Sequence, residues 1–184
     1  MAVTEQTIQT LEIVKEEEIA APIDVVFETI LEQMGPYNET PERPMPMILE
    51  AWPGGRWFRD LGNKTGHWWG SVQAIKPPTL LEICGPLFMS YPVTSNLQYR
   101  LSEENGVTRL RFVHRAVGWM PSEITEGIQQ GWSHWIRRIH ERSLRGIGST
   151  PYLVSRKDAE VDEFAPLRVE EHYGMTVAGL KAAF

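Results

Sequence analysis

The stretch over residues 47–117 constrains the fold most, because short strand-like runs follow one another there without a helical stretch between them. Turn signals separate these runs, namely Pro53-Gly54-Gly55, Gly62-Asn63-Lys64-Thr65-Gly66, Pro77-Pro78 and Glu104-Asn105-Gly106. Consecutive strands without intervening helices favour an antiparallel sheet, in which tight turns join neighbouring strands. The sequence therefore predicts roughly six antiparallel strands here, with a further strand over residues 11–19.

Two amphipathic helices are predicted on either side of this strand region. Pro22 opens the first, because its fixed φ suits the first helical turn, and apolar residues then recur at helical spacing as far as Gly35-Pro36. The second helix is expected over residues 121–145, where an arginine-rich C-terminal half complements the helix dipole. Gly127 and Gly131 lie beside its apolar stripe, although each costs about 1 kcal/mol relative to alanine, which suggests a packing or ligand-access role.

Composition excludes several classes of protein. Hydrophobic residues make up 42% of the chain and charged residues 23%, so a wholly disordered chain is not expected. The formal net charge is −6 and we find no basic patch, which argues against nucleic-acid binding. No run approaches the roughly 18 apolar residues of a membrane span, and residues 1–10 lack the apolar core of a signal peptide. We therefore expect a cytoplasmic protein without a membrane or nucleic-acid partner.

The sequence contains no recognised motif for catalysis or cofactor binding. The single cysteine, Cys84, excludes an internal disulfide and a cysteine-based zinc cluster. His140-Glu141 begins like a zinc-protease helix, but Leu144 stands where the second histidine is required. Neither a Gly-x-Ser-x-Gly elbow nor a P-loop motif is present. The sequence thus predicts no metal site, no cofactor and no identifiable nucleophile.

Strand alternation predicts which side chains face the second helix. In residues 107–117 arginines alternate with mainly apolar residues, so the arginine face is expected to meet solvent and His114 to point inward. In His67-Trp68-Trp69-Gly70, one tryptophan should lie inside and the other outside. The predicted lining of an internal site consists of Trp69, Met89, Leu97, Tyr99, Phe112, His114, Ile128, Trp132 and Trp135.

The same inward pattern is also typical of a closed core. If the interior is a ligand site, His114 and Tyr99 would orient a carbonyl or hydroxyl of the ligand. If the interior is a closed core, neighbouring backbone groups would form hydrogen bonds with them. A lined cavity and a filled core differ only in whether the middle is occupied, so both interpretations stay open at this stage.

Several short motifs resemble one known superfamily. The segment Ala21-Pro22-Ile23-Asp24-Val25-Val26-Phe27 resembles the start of the first helix in SRPBCC proteins, the superfamily of START and birch-pollen-allergen-like domains. Residues 50–57, Trp69-Gly70-Ser71-Val72 and Gly131-Trp132 resemble its branch of heat-shock-protein ATPase activator homologues. The resemblance covers residues 10–145 and implies an α+β helix-grip fold, in which a curved antiparallel sheet wraps around a long C-terminal helix.

The resemblance also implies a class of function. Members of the superfamily typically accept hydrophobic ligands in a cavity between sheet and helix, and a minority catalyse cyclisation or dehydration. We therefore expect binding of a small hydrophobic molecule in such a cavity, without an assigned reaction. Two alternatives stay open: a cyclase- or hydrolase-type enzyme with His114 as general base and Tyr99 as hydrogen-bond donor, and a co-chaperone-like protein-interaction module.

The sequence divides after the long second helix, at a glycine-containing hinge over residues 146–149. Residues 1–148 are predicted to form the helix-grip domain, and residues 149–184 a C-terminal extension without a recognised motif. This extension is rich in charge over residues 156–171 and mostly apolar over residues 175–184. We expect it to pack over the mouth of the cavity or onto a second subunit in a homodimer.

Overall fold

The computed structural model describes residues 7–41, 43–121 and 123–146. The predicted C-terminal extension, residues 149–184, lies outside these described residues. In chain order the elements are β1 (Gln9–Ile19), α1 (Ile23–Met34), β2 (Ile48–Leu49), β3 (Arg56–Gly62), β4 (Thr65–Lys76), β5 (Leu80–Gly85), β6 (Val93–Glu104), β7 (Val107–Gly118) and α2 (Ile124–Leu144).

The strands form one 7-stranded antiparallel sheet in the order β1-β7-β6-β5-β4-β3-β2. Strands β2 to β7 each pair with their neighbours in sequence, as the turn signals predict, and β1 is added beside β7. Register shifts in the β3–β4 and β4–β5 pairs mark bulges, which increase the local twist and bend of a sheet. The curved sheet with the long C-terminal helix is the α+β helix-grip fold that the sequence predicts.

Two predicted strands are shorter in the structure. The sequence predicts a strand over residues 47–52, but only Ile48–Leu49 pairs with β3. A strand is likewise predicted over residues 80–89, whereas β5 ends at Gly85 because Pro86 has no N–H to continue the ladder and Leu87 turns away at φ 56°. Residues 86–92 therefore form a connection that leaves the sheet.

Side chains of β4, β6 and β7 alternate between the two faces, which confirms the predicted orientations. In β4, Trp69 is buried, whereas Trp68 is 52% exposed. The inner positions on β6 and β7 have no exposed surface at Leu97, Tyr99, Phe112 and His114. On the outer face of β7 three arginines pair with glutamates of β1, at 2.7 Å for Arg115–Glu12, 3.1 Å for Arg111–Glu16 and 3.2 Å for Arg109–Glu18.

Hydrogen bonds from the sheet fix both ends of α1. The N–H of Ile23 donates to Glu103 Oε2 of β6 at 2.7 Å, which satisfies one of the free N–H groups at a helix N-terminus. At the other end, the indole N–H of Trp57 in β3 donates to the carbonyl oxygen of Met34 at 2.7 Å. These bonds set the position of α1 on the sheet, and Trp57 is itself fully buried.

A buried ion pair joins the two helices. Arg142 Nη2 of α2 lies 2.7 Å from Glu32 Oε2 of α1, and both side chains are nearly inaccessible to solvent. The guanidinium of Arg142 also lies over the ring of Tyr37, at 4.1 Å from its centroid. Because a buried charge is stable only beside its partner, the pair anchors the C-terminal half of α2 against α1.

Replacing Arg142 by methionine should lower the free energy of unfolding by about 3–5 kcal/mol, because Glu32 would lose this counter-charge while remaining buried. Urea denaturation measures the loss. Arg137→Met is the matched control on the same helix, since the ion pair of Arg137 with Glu141 is exposed and contributes less than about 1 kcal/mol. Similar losses in the two variants would contradict the anchoring role.

Candidate functional site

An apolar groove of about 540 Å³ opens beside the N-terminal half of α2. Its other walls come from the α1–β2 connection, from β4 and from the β5–β6 connection. The volume lies within the range of about 300–1,000 Å³ that is usual for small-molecule sites. The lining residues are Glu39, Thr40, Pro41, Met45, Trp69, Phe88, Met89, Tyr91, Ile124, Gly127, Ile128, Gly131, Trp132, His134 and Trp135.

Only part of the predicted lining lies on this groove. The predicted residues that line it are Trp69, Met89, Ile128, Trp132 and Trp135. The other predicted residues lie in the buried core and do not line it, namely Leu97, Tyr99, Phe112 and His114. The structure thus brings Trp69 of β4 together with the helix and loop residues at the groove, and leaves the inner residues of β6 and β7 beneath them.

Aromatic rings fill the space between α2 and the inner strands. The ring of Trp132 lies 4.7 Å from that of Phe112, centroid to centroid, and Phe112 lies 5.0 Å from Tyr99. On the groove side, Trp132 lies 5.4 Å from Trp135 and 6.2 Å from Phe88. Trp132 therefore forms the floor of the groove and separates it from the core.

A hydrogen bond from this floor residue determines the protonation of His114. The indole N–H of Trp132 donates to His114 Nδ1 at 3.0 Å. Because an indole nitrogen can only donate, Nδ1 must be the unprotonated nitrogen of the ring, and the neutral histidine carries its proton on Nε2. Burial lowers the pKa of His114 to about 4, so the ring is neutral near pH 7.

The two glycines of α2 lie on the groove wall, one helical turn apart. A Cβ atom placed on Gly127 or Gly131 would meet no atom of the described residues within 4 Å. Packing against the described part of the chain therefore requires neither glycine, although each costs about 1 kcal/mol of helix stability relative to alanine. Their effect is to widen the groove along the face of α2.

A charged cluster closes the rim of the groove. Glu39 of the α1–β2 connection forms an ion pair with Arg138 of α2 and lies 3.7 Å from His134 Nε2. Arg138 also binds Glu141 at 3.0 Å, one helical turn further along. The cluster holds the α1–β2 connection against α2. Its charged groups lie at the rim of the groove, and the interior of the groove is apolar.

A second groove, of about 730 Å³, crosses the outer face of the sheet but differs in character. Charged side chains dominate its lining, and Arg109 and Arg111 within it are already paired with Glu18 and Glu16. Leu80, Leu101 and Leu110 also contribute to its lining, but the exposed ion pairs make this groove much more polar than the one beside α2. The apolar groove beside α2 is therefore the better candidate.

Sequence reasoning missed the lining that comes from loops. Phe88 and Tyr91 lie on the connection that replaces the end of the predicted fifth strand, and Glu39, Thr40, Pro41 and Met45 come from a proline-rich loop. Alternation assigns a strand residue to a face, but it does not say where a loop crosses a helix. The signal available in the sequence was the pair of glycines within an otherwise regular helix.

Within residues 7–41, 43–121 and 123–146, no three histidine, cysteine, aspartate or glutamate side chains come together in a way that could hold a metal ion. In the same part of the chain, no helix combines the length and the apolar character needed to cross a membrane.

His114 should make the protein less stable in acid. Because its pKa is about 4 when folded and 6.5 in a model peptide, the unfolded chain binds a proton between these values and the folded chain does not. The free energy of unfolding should therefore fall by up to about 3 kcal/mol as the pH drops from 6.5 to 4. Denaturant titrations at several pH values measure this dependence.

His114→Asn is the matched control for that experiment, because the amide oxygen can still accept the hydrogen bond from Trp132 but does not titrate. Subtracting its pH dependence removes the contributions of the other histidines and of the carboxylates. An identical pH dependence in the wild-type protein and the variant would show that His114 titrates normally in the folded protein.

Comparison with known proteins gives one family match. A family model described as Activator of Hsp90 ATPase homolog 1-like protein matches residues 20–142, from just before α1 to the last turn of α2. No curated protein matches the sequence. The matched region includes both helices and the whole groove described above.

Solved structures with the same fold have low sequence identity to this chain. An uncharacterized protein from Rhizobium leguminosarum is 18% identical with a TM-score of 0.62, covering 77% of this chain and 99% of its own. The protein Ara h 8.0201 is 12% identical with a TM-score of 0.56, covering 76% and 99%. DynU16, from the dynemicin biosynthetic locus, is 16% identical with a TM-score of 0.52, covering 71% and 46%. At these identities the likeness concerns the fold alone.

Proposed function

Because the chain belongs to the Activator of Hsp90 ATPase homolog 1-like family, within the SRPBCC superfamily, we propose that it binds a small hydrophobic molecule in the groove beside α2. The observation that carries the proposal is the pair of helical glycines, Gly127 and Gly131, which no packing contact with residues 7–41, 43–121 or 123–146 requires and which widen an apolar groove. The proposal keeps the predicted class of ligand and moves its site from an internal cavity to the mouth of the fold.

The chemistry of the groove supports this proposal. The accessible surface of the groove is mostly apolar, and Phe88, which is 41% exposed, is its most accessible aromatic ring, because Trp69, Trp132 and Trp135 are nearly buried. Burying apolar surface is favourable by about 25 cal/mol per Å², so an apolar ligand gains most by covering Phe88 and the apolar surface that still faces the groove. The charges at the rim, in contrast, are already paired with one another.

The enzymatic alternative has no comparable support. A general base needs a nitrogen lone pair directed at the substrate, but Nδ1 of His114 accepts the bond from Trp132 and Nε2 carries the proton. The side chain is also fully buried and lies outside the lining of the groove. In this arrangement His114 can donate a hydrogen bond but cannot remove a proton.

The protein-interaction alternative rests on the family description, which refers to an activator of a chaperone ATPase. A stable protein–protein interface usually buries about 800 Å² on each partner. The groove beside α2 is instead concave and has the volume of a small-molecule site. Stimulation of a purified chaperone's ATPase by this protein would favour the alternative, and its absence would remove it.

Filling the groove should abolish ligand binding without unfolding the protein. Gly131→Leu places a side chain in space that is empty in the structure, and leucine is the better helix former. We expect the affinity for the neutral fluorescent probe N-phenyl-1-naphthylamine to fall at least about tenfold, because the probe and the new side chain compete for one volume. Fluorescence titration measures the affinity, and thermal unfolding verifies the fold.

Gln129→Leu is the matched control, because Gln129 is exposed on the same helix and does not line the groove. This variant adds the same side chain to the surface and should bind the probe as the wild-type protein does. Unchanged affinity in Gly131→Leu would exclude the groove as the binding site. An equal loss in both variants would mean that surface leucines, rather than a filled groove, reduce the signal.

A further inference from the structure

The groove beside α2 leaves apolar surface uncovered among the described residues. The ring of Phe88 is 41% exposed, although it lies 5.7 Å from the ring of Trp69 and 6.2 Å from that of Trp132. The rest of the accessible surface of the groove is mostly apolar as well. Soluble proteins rarely leave a contiguous apolar patch exposed unless a ligand or a partner covers it. The groove therefore suits a second apolar occupant when no ligand is bound.

The wall formed by α2 is shaped to accept a helix. Gly127 and Gly131 lie one helical turn apart on this wall, and a Cβ atom on either would meet no atom of the described residues within 4 Å. Because glycine has no side chain, a second helix can approach α2 closely along this strip. The charged groups of Glu39 and Arg138 pair with each other at the rim, outside the path of such a helix.

The chain itself contains a segment of matching character. Residues 175–184 are mostly apolar and include a single charged residue, Lys181. Within them Val177, Leu180 and Phe184 follow the i, i+3, i+7 spacing that puts side chains on one face of a helix. The binding of an amphipathic helix by its apolar face in an apolar groove is a common mode of peptide recognition.

The chain between α2 and this segment is long enough to bring it to the groove. Gly131 lies about 20 Å back along the helix axis from Leu144, the last residue of α2. A random chain with the length of residues 147–174 has an end-to-end distance of about 30 Å. Residues 175–184 can therefore reach the groove of their own chain.

We propose that residues 175–184 bind as a short helix in the groove beside α2 of the same chain, where they compete with the hydrophobic ligand. This inference rests on the proposed function and adds the regulation of the same site. It selects the mouth of the fold from the two positions that the sequence predicts for the C-terminal extension. A helix of this length is marginal alone in water, so the segment becomes helical as its apolar face meets the groove.

The groove on the outer face of the sheet is a poorer position for this segment. Charged side chains dominate its lining, and Arg109 and Arg111 within it are paired with glutamates of β1. An apolar face that covered these exposed ion pairs would remove charged groups from water without replacing their hydration. The apolar groove beside α2 carries no such cost.

Covalent attachment makes even a weak contact effective. A segment on a linker of this kind has an effective concentration on the order of 1 mM at a site within its reach. With an affinity of about 0.1 mM for the groove, the segment would occupy it in about nine of ten molecules. A ligand that competes for the groove would then bind about tenfold more weakly than it binds the open groove.

The test uses the full-length protein with substitutions in the segment. Leu180→Asp and Phe184→Asp place a charge on the face that would meet the apolar groove, which disfavours docking. We expect each variant to bind N-phenyl-1-naphthylamine about tenfold more tightly than the wild-type protein does. Leu167→Asp is the matched control, because it makes the same substitution in the charge-rich part of the extension, and it should keep the wild-type affinity.

Proton–nitrogen NMR of the indole groups gives a second readout, without any probe. The signals of Trp132 and Trp135, which line the groove, should differ between the wild-type protein and Leu180→Asp, whereas those of Trp52 and Trp68 should not. A synthetic peptide of residues 172–184, added at millimolar concentration to Leu180→Asp, should return the signals of Trp132 and Trp135 towards their wild-type positions.

The outcomes separate the two proposals. If neither the wild-type protein nor any variant binds the probe, the groove is not a hydrophobic ligand site and the proposed function fails. If the wild-type protein binds the probe as tightly as Leu180→Asp and Phe184→Asp do, the groove keeps its function and the docking of residues 175–184 is overturned.

Two further results would also overturn this docking. An equal gain of affinity in Leu167→Asp would mean that added charge anywhere in the extension, rather than release of the segment, changes probe binding. An affinity of the wild-type protein that weakens as its own concentration rises would mean that the segment of a second copy occupies the groove.

Discussion

The hydrogen bond between Trp132 and His114 is the constraint on which the site depends. It links the long C-terminal helix to strand β7 and fixes the orientation of the indole ring. With the ring held there, Trp132 covers Phe112 on one side and forms the floor of the groove on the other. The same bond fixes which nitrogen of the neutral His114 ring carries the proton.

The two halves of α2 contribute in opposite ways to the stability of the fold. The C-terminal half is held by the buried pair of Arg142 with Glu32, which is costly to break. The N-terminal half instead contains Gly127 and Gly131, each of which reduces helix stability, and it faces the exposed ring of Phe88 on the β5–β6 connection. Selection for stability alone would remove features that reduce the stability of the fold. Their concentration at one concave apolar surface is therefore typical of a binding site.

The fold was largely predictable from the sequence, whereas the site was predictable only in part. Alternation along β6 and β7 assigns His114 to the inner face, and helical spacing places Trp132 opposite, because both patterns depend only on local geometry. Whether the sheet and α2 leave a cavity between them depends on the summed volumes of side chains that are far apart in the sequence. Here Phe112 and Trp132 fill the space between the sheet and the helix. The position of Phe88 depends on the path of the β5–β6 connection, and the hydrophobic periodicity of the sequence does not encode that path.

The tryptophans themselves allow the most direct test of where a ligand binds. Proton–nitrogen NMR resolves each indole N–H, and a neutral naphthalene can be titrated into the labelled protein. We expect shifts at Trp69, Trp132 and Trp135, which line the groove, and none at the more exposed Trp52 and Trp68. Shifts confined to Trp52 and Trp68, with the groove signals unmoved, would contradict the central claim that this groove is the ligand site.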